Sequence, residues 1–308
     1  MQLSVFDLHC DTPYLMLQKA QPLSVNQLAV SLEAARDFSR YVQVMALWTD
    51  NALKDEDGWQ QMHRMLNNLK NDPALTGGKA LLCDRLTEQI PRLPTLLLGV
   101  EDARILSGRL ERVGELYCLG IRILTPLWRG TTIIGGSHDT SEGLTAFGWL
   151  ALKDAAERGM LLDISHASER SAEQIFEICE TCNRPVIASH SNAYKVCAAS
   201  RNLQDWQIDR IIKTGGLIGL NFYGPFLSKE KDPSVATLLS HIDYFLARGA
   251  ENVLCLGGDM DGCDLPHDMQ GLSSLPYLVE LMQRHGFCDG LIHKIFFENA
   301  NRFFLKHL

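Results

Sequence analysis

Short apolar runs recur along this chain, and longer stretches between them bring apolar positions back every three or four residues. The runs are LSVFDLH, YVQVMALW, PTLLLGVE, GIRILTPL, GMLLDISH, RPVIASH, GGLIGLNFY and NVLCLGGD. Their length and their Val, Ile and Leu content suit buried strands. Between them, GWQQMHRMLNNLK, DARILSGRLERVGELYC, FGWLALKDAAERG and VATLLSHIDYFLARG read as amphipathic crossover helices. Such alternation predicts an α/β fold with a parallel sheet. Eight strands is the number that closes a (β/α)8 TIM-type barrel, which typically takes roughly 250 residues. A single domain over residues 1–308 therefore leaves room for long loops. Residues 71–94, expected to add a hairpin or a helix, and the loop at 126–145 are the candidate insertions.

Barrels of this kind build their sites at the C-terminal ends of the strands. That is where the metal-type side chains fall: His9 and Asp11 in VFDLHCD, Glu101 in TLLLGVE, His166 in MLLDISH, His190 in PVIASH, and Asp259 in LCLGGDMDG. Residues two apart on a strand share a face, so His9 and Asp11 are expected to reach one cation together while Cys10 points away. Imidazole and carboxylate both suit zinc-like ions, and Glu101 can bridge two of them through its separate oxygens. His166 and His190 would hold the second ion. Two divalent ions roughly 3.5 to 4 Å apart lower the pKa of a bound water and polarise a carbonyl, the chemistry of a two-metal hydrolase. Asp259 would then serve as general base and acid.

Charge and composition narrow the alternatives. With 29 basic and 37 acidic residues the formal charge is −8, and no basic stretch suggests a nucleic-acid partner. MQLSVFDLHCDT lacks the basic and apolar regions of a signal peptide. Polar residues or glycine interrupt every apolar run, so no membrane span is expected. Nine cysteines without a secretory signal point to free thiols and the cytoplasm. Cys179 and Cys182 form an isolated C-x-x-C in a helix-like stretch, read as ordinary thiols. The GGDMDG segment has Gly262 too early for an EF-hand calcium loop, and TGGKA around Lys79 lacks the remaining residues of a phosphate loop. His63, His241, His285, His293 and His307 read as surface or satisfied helix residues. His138, in GGSHDTSEG, is open to two readings: it folds back into the site, or its glycine-rich flanks make a mobile surface loop.

The strings DLHCDT, GVE, GLTAFG, MLLDISHAS, SHSNAY, ASRN, LNFY and GGDMDG, in this order, resemble the membrane dipeptidase family, also called renal dipeptidase. The resemblance runs from about residue 5 to the ENANRFF segment. It implies a binuclear zinc site, with His9 and Asp11 on one ion, His166 and His190 on the other and Glu101 between them. It also implies that Arg201, in ASRN, grips the carboxylate of a dipeptide substrate, that Asp259 is the active-site aspartate, and that the protein is a homodimer. Planar guanidinium donors suit a terminal carboxylate, which would select short peptides. The family tolerates dipeptides with a C-terminal D-residue.

The chain departs from the family at Trp128, which stands in LTPLWRG where a histidine usually helps bind the substrate carbonyl, and in reading EDA after the GV where EGG is common. Trp128 is expected to contact substrate and reshape specificity through its indole N–H and apolar face. A homologue with altered specificity, acting on another amide or serving only to bind, is the alternative reading. Amidohydrolases of cyclic amides or nucleobases fit less well, since their first strand usually carries H-x-H and their bridge is often a modified lysine.

Overall fold

The structure, a computed structural model, describes residues 2–87 and 92–308. In chain order its strands are β1 (Ser4–Cys10), β2 (Arg40–Trp48), β3 (Leu81–Leu82), β4 (Thr95–Glu101), β5 (Ile121–Thr125), β6 (Leu161–Asp163), β7 (Val186–Ala188), β8 (Leu217–Leu220) and β9 (Leu254–Leu256). All except β3 lie in the eight apolar runs. Every pairing is parallel, in the order β2-β1-β9-β8-β7-β6-β5-β4, and a β2–β4 pairing closes the cylinder. This is the (β/α)8 barrel that the alternating pattern predicts.

The lumen is filled by alternate side chains of the strands, among them Phe6, Leu8, Val44, Leu97, Ile123 and Ile187. Phe304, from the C-terminal helix Asn299–His307, packs its ring 4.9 Å from that of Phe6 and belongs to the same cluster. Complete burial of such a side chain contributes roughly 1.5–3 kcal/mol. The outer faces of the strands pack on helices such as Asp55–Lys70, Ala146–Glu157, Glu169–Thr181 and Leu238–Ala247.

One local expectation needs correction. DARILSGRLERVGELYC is not one helix: a 3-10 turn at Ala103–Leu106 ends where Ser107 and Gly108 adopt left-handed backbone (φ 53° and 73°), and a new helix starts at Glu111. Left-handed residues cannot continue a right-handed helix. The 71–94 insertion, expected to add a hairpin or a helix, contributes a helical turn, Pro73–Thr76, together with the parallel strand β3; residues 88–91 of it lie outside the described set. All nine cysteines are free, with Cys179 buried in its helix and Cys182 capping it. No helix among the described residues is long and apolar enough to cross a membrane.

Candidate metal centre and active site

The first strand delivers its ligand by an irregularity. Phe6 and Leu8 face the lumen, so strict alternation would turn Cys10 inward and His9 outward. The register slips between Asp7 and Cys10, and Cys10 packs outward instead, its Sγ 3.4 Å from Met45 Sδ. Asp7 holds this slip in place. Its Oδ1 accepts from the His9 N–H (3.0 Å) and from Gln43 Nε2 (3.0 Å), and its Oδ2 accepts from the Gly258 N–H (2.9 Å). Asp11 is not a strand residue at all. With φ −96° and ψ 19° it sits at the N-cap of the helix Thr12–Lys19. Its Oδ2 still comes within 3.5 Å of His9 Nε2, so the pair converges through a strand-to-helix turn and not through strand periodicity.

Glu101 ends β4 on the same face as Leu97, four residues earlier, and divides its two oxygens. Oε2 lies 3.3 Å from His9 Nε2, while Oε1 lies 2.8 Å from His166 Nε2 and 3.6 Å from His190 Nε2. His166 and His190 follow β6 and β7, with their Nε2 atoms 3.0 Å apart. All five residues are buried. Burial would raise the Glu101 carboxyl, but His9 and His166 hold it below the usual range. Burial would lower His9, yet the Glu101 and Asp11 carboxylates hold it well above an ordinary histidine.

The hydrogen bonds behind the histidines assign their tautomers. His166 Nδ1 lies 2.9 Å from the Trp128 carbonyl, which can only accept, so Nδ1 carries the hydrogen and Nε2 a lone pair. The Asp163 carboxylate accepts from the hydroxyls of Thr125, Ser165 and Ser189. Ser189 has therefore spent its hydrogen, and His190 Nδ1, 2.7 Å away, must donate to it. His190 Nε2 is then also a lone pair. Burial lowers both imidazoles below the usual range, which favours these neutral forms. Two lone pairs and a carboxylate oxygen thus converge with nothing positive between them. His9 Nε2, Asp11 Oδ1 and Glu101 Oε1 make no hydrogen bond, although buried polar atoms are normally satisfied. This donor set fits divalent cations. The ligand atoms of His9, Glu101 and His190 lie within 4.8 Å of one another, as do those of His9, Asp11 and Asp259.

Asp259 follows β9 in a left-handed conformation, φ 56°, and its backbone N–H donates to the His9 carbonyl (3.1 Å). Non-glycine residues held there mark sites whose surroundings over-determine the backbone. Its Oδ2 accepts from Asn221 Nδ2 (3.1 Å), and its Oδ1 is 3.9 Å from His9 Nε2. Burial pushes its carboxyl up to about 7, with Asp11 and Glu101 adding to the rise and His9 and Arg201 opposing it. Asp261, two residues on, is structural: it accepts from Thr12 Oγ1 (2.6 Å) and the Ala29 N–H (2.7 Å).

Arg201 is only 3% exposed. Its Nη atoms make long contacts to Ser191 Oγ (3.4 Å) and the His190 carbonyl (3.3 Å), and its Nε has no partner. Among the described residues it forms no ion pair. Buried charges are almost always paired, so this guanidinium is left facing a place for an anion. A cavity of about 710 Å³ joins it to the rest: Arg201, Asp259, His166, Trp128, His138 and Tyr223 are on its wall. A smaller adjoining cavity of about 180 Å³ reaches Asp11 and Glu101, between Tyr14, Trp48 and Trp128. Trp128 is half-buried, stacked edge-on against Trp48 with ring centroids 5.2 Å apart.

Every residue expected in the site meets here. Sequence reading did not single out Asn221, Asp163 or Ser189, although the strings LNFY, MLLDISH and PVIASH contain them. Their role depends on which hydroxyl or amide faces which ligand, and no local spacing reports that. Of the five histidines read as surface or satisfied helix residues, His241 is fully buried with both nitrogens bonded, Nδ1 to the Ala193 N–H (3.1 Å) and Nε2 to the Leu227 carbonyl (2.9 Å).

Comparison with known proteins bears on the family and the fold. The profile of the family "Membrane dipeptidase (Peptidase family M19)" matches residues 1–306. A Klebsiella pneumoniae relative, "Uncharacterized protein in pqqA 5'region", is 30% identical over 259 residues, covering 78% of this chain and 92% of its own. Among solved structures, a metallopeptidase described as dipeptidase AC superposes with a TM-score of 0.90 at 24% identity, over 100% of this chain and 99% of that one. A Rhodobacter sphaeroides metallopeptidase, liganded with a phosphinate mimic of the dipeptide L-Ala-D-Ala, gives 0.91 at 22% identity, over 100% of both chains. With a family match that spans the barrel and all the residues around its mouth, this chain belongs to the membrane dipeptidase family, peptidase family M19.

Proposed function

We propose that this protein hydrolyses dipeptides at a binuclear site that takes two divalent ions, zinc by the character of its ligands. His9 and Asp11 would hold one ion, His166 and His190 the other, and Glu101 both, one oxygen to each. When bound, such ions supply a lowered pKa for water and Lewis-acid polarisation of the scissile carbonyl. Asp259 takes up the proton of the attacking water at its carboxylate and returns it to the nitrogen of the leaving amine. Asn221 keeps that carboxylate aimed. Arg201 binds the C-terminal carboxylate, and Trp128 walls the pocket on the side of Trp48. Likeness to the protein that binds the L-Ala-D-Ala mimic supports acceptance of a C-terminal D-residue. A cytoplasmic homodimer completes this reading.

The observation that carries the proposal is the buried Arg201 guanidinium, without a carboxylate of its own, on the same cavity as Asp259 and the histidines. Kinetics of the zinc-loaded protein on Ala-Ala and on Ala-Ala amide test it. Losing a charged hydrogen-bond partner is worth about 1.5–3 kcal/mol, so Arg201→Ala should raise KM for Ala-Ala roughly 10- to 100-fold and barely alter the amide. Equal loss on both substrates, or no hydrolysis of any dipeptide in a library by the unaltered protein, defeats the reading.

A further inference from the structure

Among the histidines of the mouth, His138 is the one that the proposed metal and proton chemistry leaves unused. It is half-buried on the 126–145 loop and lines the 710 Å³ cavity together with Arg201 and Asp259. The loop is docked and not loose. The His138 N–H donates to the His166 carbonyl (2.8 Å), Ser137 bridges to Ala167, and the Gly130 N–H donates to Asp139 Oδ1 (2.8 Å). Its glycines serve close packing: a Cβ on Gly135 would lie 2.8 Å from the Gly143 carbonyl oxygen and from Leu144 Cα.

The imidazole itself is half satisfied. Nδ1 lies 2.9 Å from Ser200 Oγ, on the residue that precedes Arg201, so the ring is tied to the turn that carries the guanidinium. Nε2 has no hydrogen-bond partner among the described residues. The contrast with His241, both of whose nitrogens are bonded to backbone, separates a structural histidine from one with a ring nitrogen to spare. When the Ser200 hydroxyl donates to Nδ1, the hydrogen resides on Nε2.

We propose that His138 is a specificity-determining residue whose Nε2–H donates to the C-terminal carboxylate of the substrate alongside Arg201. The proposal rests on the dipeptidase reading above for the identity of that substrate. A carboxylate offers about four lone-pair sites, more than one guanidinium fills, so a second donor adds selectivity for a free C-terminus.

The test uses the full-length zinc-loaded protein, with Ala-Ala and Ala-Ala amide as probes and the variants His138→Ala, His138→Gln and Ser200→Ala. His138→Ala should raise KM for Ala-Ala about tenfold, the scale of one hydrogen bond to a charged group, and leave KM for the amide unchanged. Turnover at saturation should stay within about twofold, since the contact is made equally in ground and transition states. His138→Gln, which keeps an N–H donor, should recover most of the affinity, and Ser200→Ala should fall between. An unchanged KM, an equal rise for both probes, or a fall in kcat alone overturns the proposal. Calorimetric titration of Ala-Ala into the zinc-loaded protein separates this from the parent reading. If the unaltered protein binds Ala-Ala without cleaving it, dipeptidase activity fails while weaker binding by His138→Ala still upholds the contact; no binding by the unaltered protein overturns both.

Discussion

Glu101 illustrates how much one side chain can carry. Its oxygens face different imidazoles, Oε2 toward His9 and Oε1 toward His166 and His190. Glu101→Gln keeps the shape and replaces one oxygen by an NH2 group that cannot ligate. It should leave no more than one ion bound and reduce turnover by more than about 100-fold, beyond the range seen when mere supporting groups are removed. Metal analysis with Ala-Ala kinetics decides this, and two retained ions with full activity would remove Glu101 from the bridge. Proton competition belongs here too. In the metal-free fold His9 is raised well above the usual range and Asp11 to about 6, each first opposed or driven by burial and then shifted by its neighbours. A group protonated at the working pH must release that proton to a cation, so affinity falls as pH falls. The His9 proton, displaced by the ion that His9 and Asp11 would hold, makes affinity for that ion drop about tenfold per pH unit as pH falls below the raised His9 value, while His166 and His190, already neutral, release none. Competition titrations against a chromophoric chelator at pH 6, 7 and 8 measure the slope, and a flat profile would contradict the direction of the His9 shift.

Among the elements, the 126–145 loop departs furthest from its sequence appearance. Glycine-rich composition suggests mobility, yet a Cβ on Gly136 would meet Thr140 Oγ1 and lie 2.5 Å from the Glu142 carbonyl oxygen. That same oxygen accepts from the hydroxyls of Ser168 and Ser171, at the start of the helix Glu169–Thr181. Gly136→Ala should therefore destabilise by about 1–3 kcal/mol, as overpacking does, and raise KM by displacing His138. Denaturant melts with parallel kinetics check both effects; a variant of unchanged stability and KM would make the loop as yielding as its composition implies. The first strand holds a similar lesson. Strand and helix alternation was readable because buried strands need continuous apolar runs and amphipathic helices a 3.6 period. The slip between Asp7 and Cys10 was not readable, because it is held by Gln43 on β2 and Gly258 after β9.

At the level of the whole molecule, the barrel gathers candidate ligands from four strand ends against a lumen packed with apolar side chains and sets their lone pairs facing one another. Ions that bind only the folded state stabilise it by mass action, about 4 kcal/mol per ion at a thousandfold excess over Kd. For a chain of this size that corresponds to a Tm roughly 10 °C above that of the chelated protein, which calorimetry with and without zinc would register. Equal melting temperatures would mean that the cluster holds no structural ion. Fold class and ligand types were legible in the sequence, since periodicity and side-chain chemistry are local properties of a chain. The ownerless charge of Arg201, the tautomers of His166 and His190, and the docking of His138 beside Ser200 emerge solely when distant segments pack. Desolvation and hydrogen-bond partnership are set by neighbours in space, and closing the barrel is what chooses those neighbours.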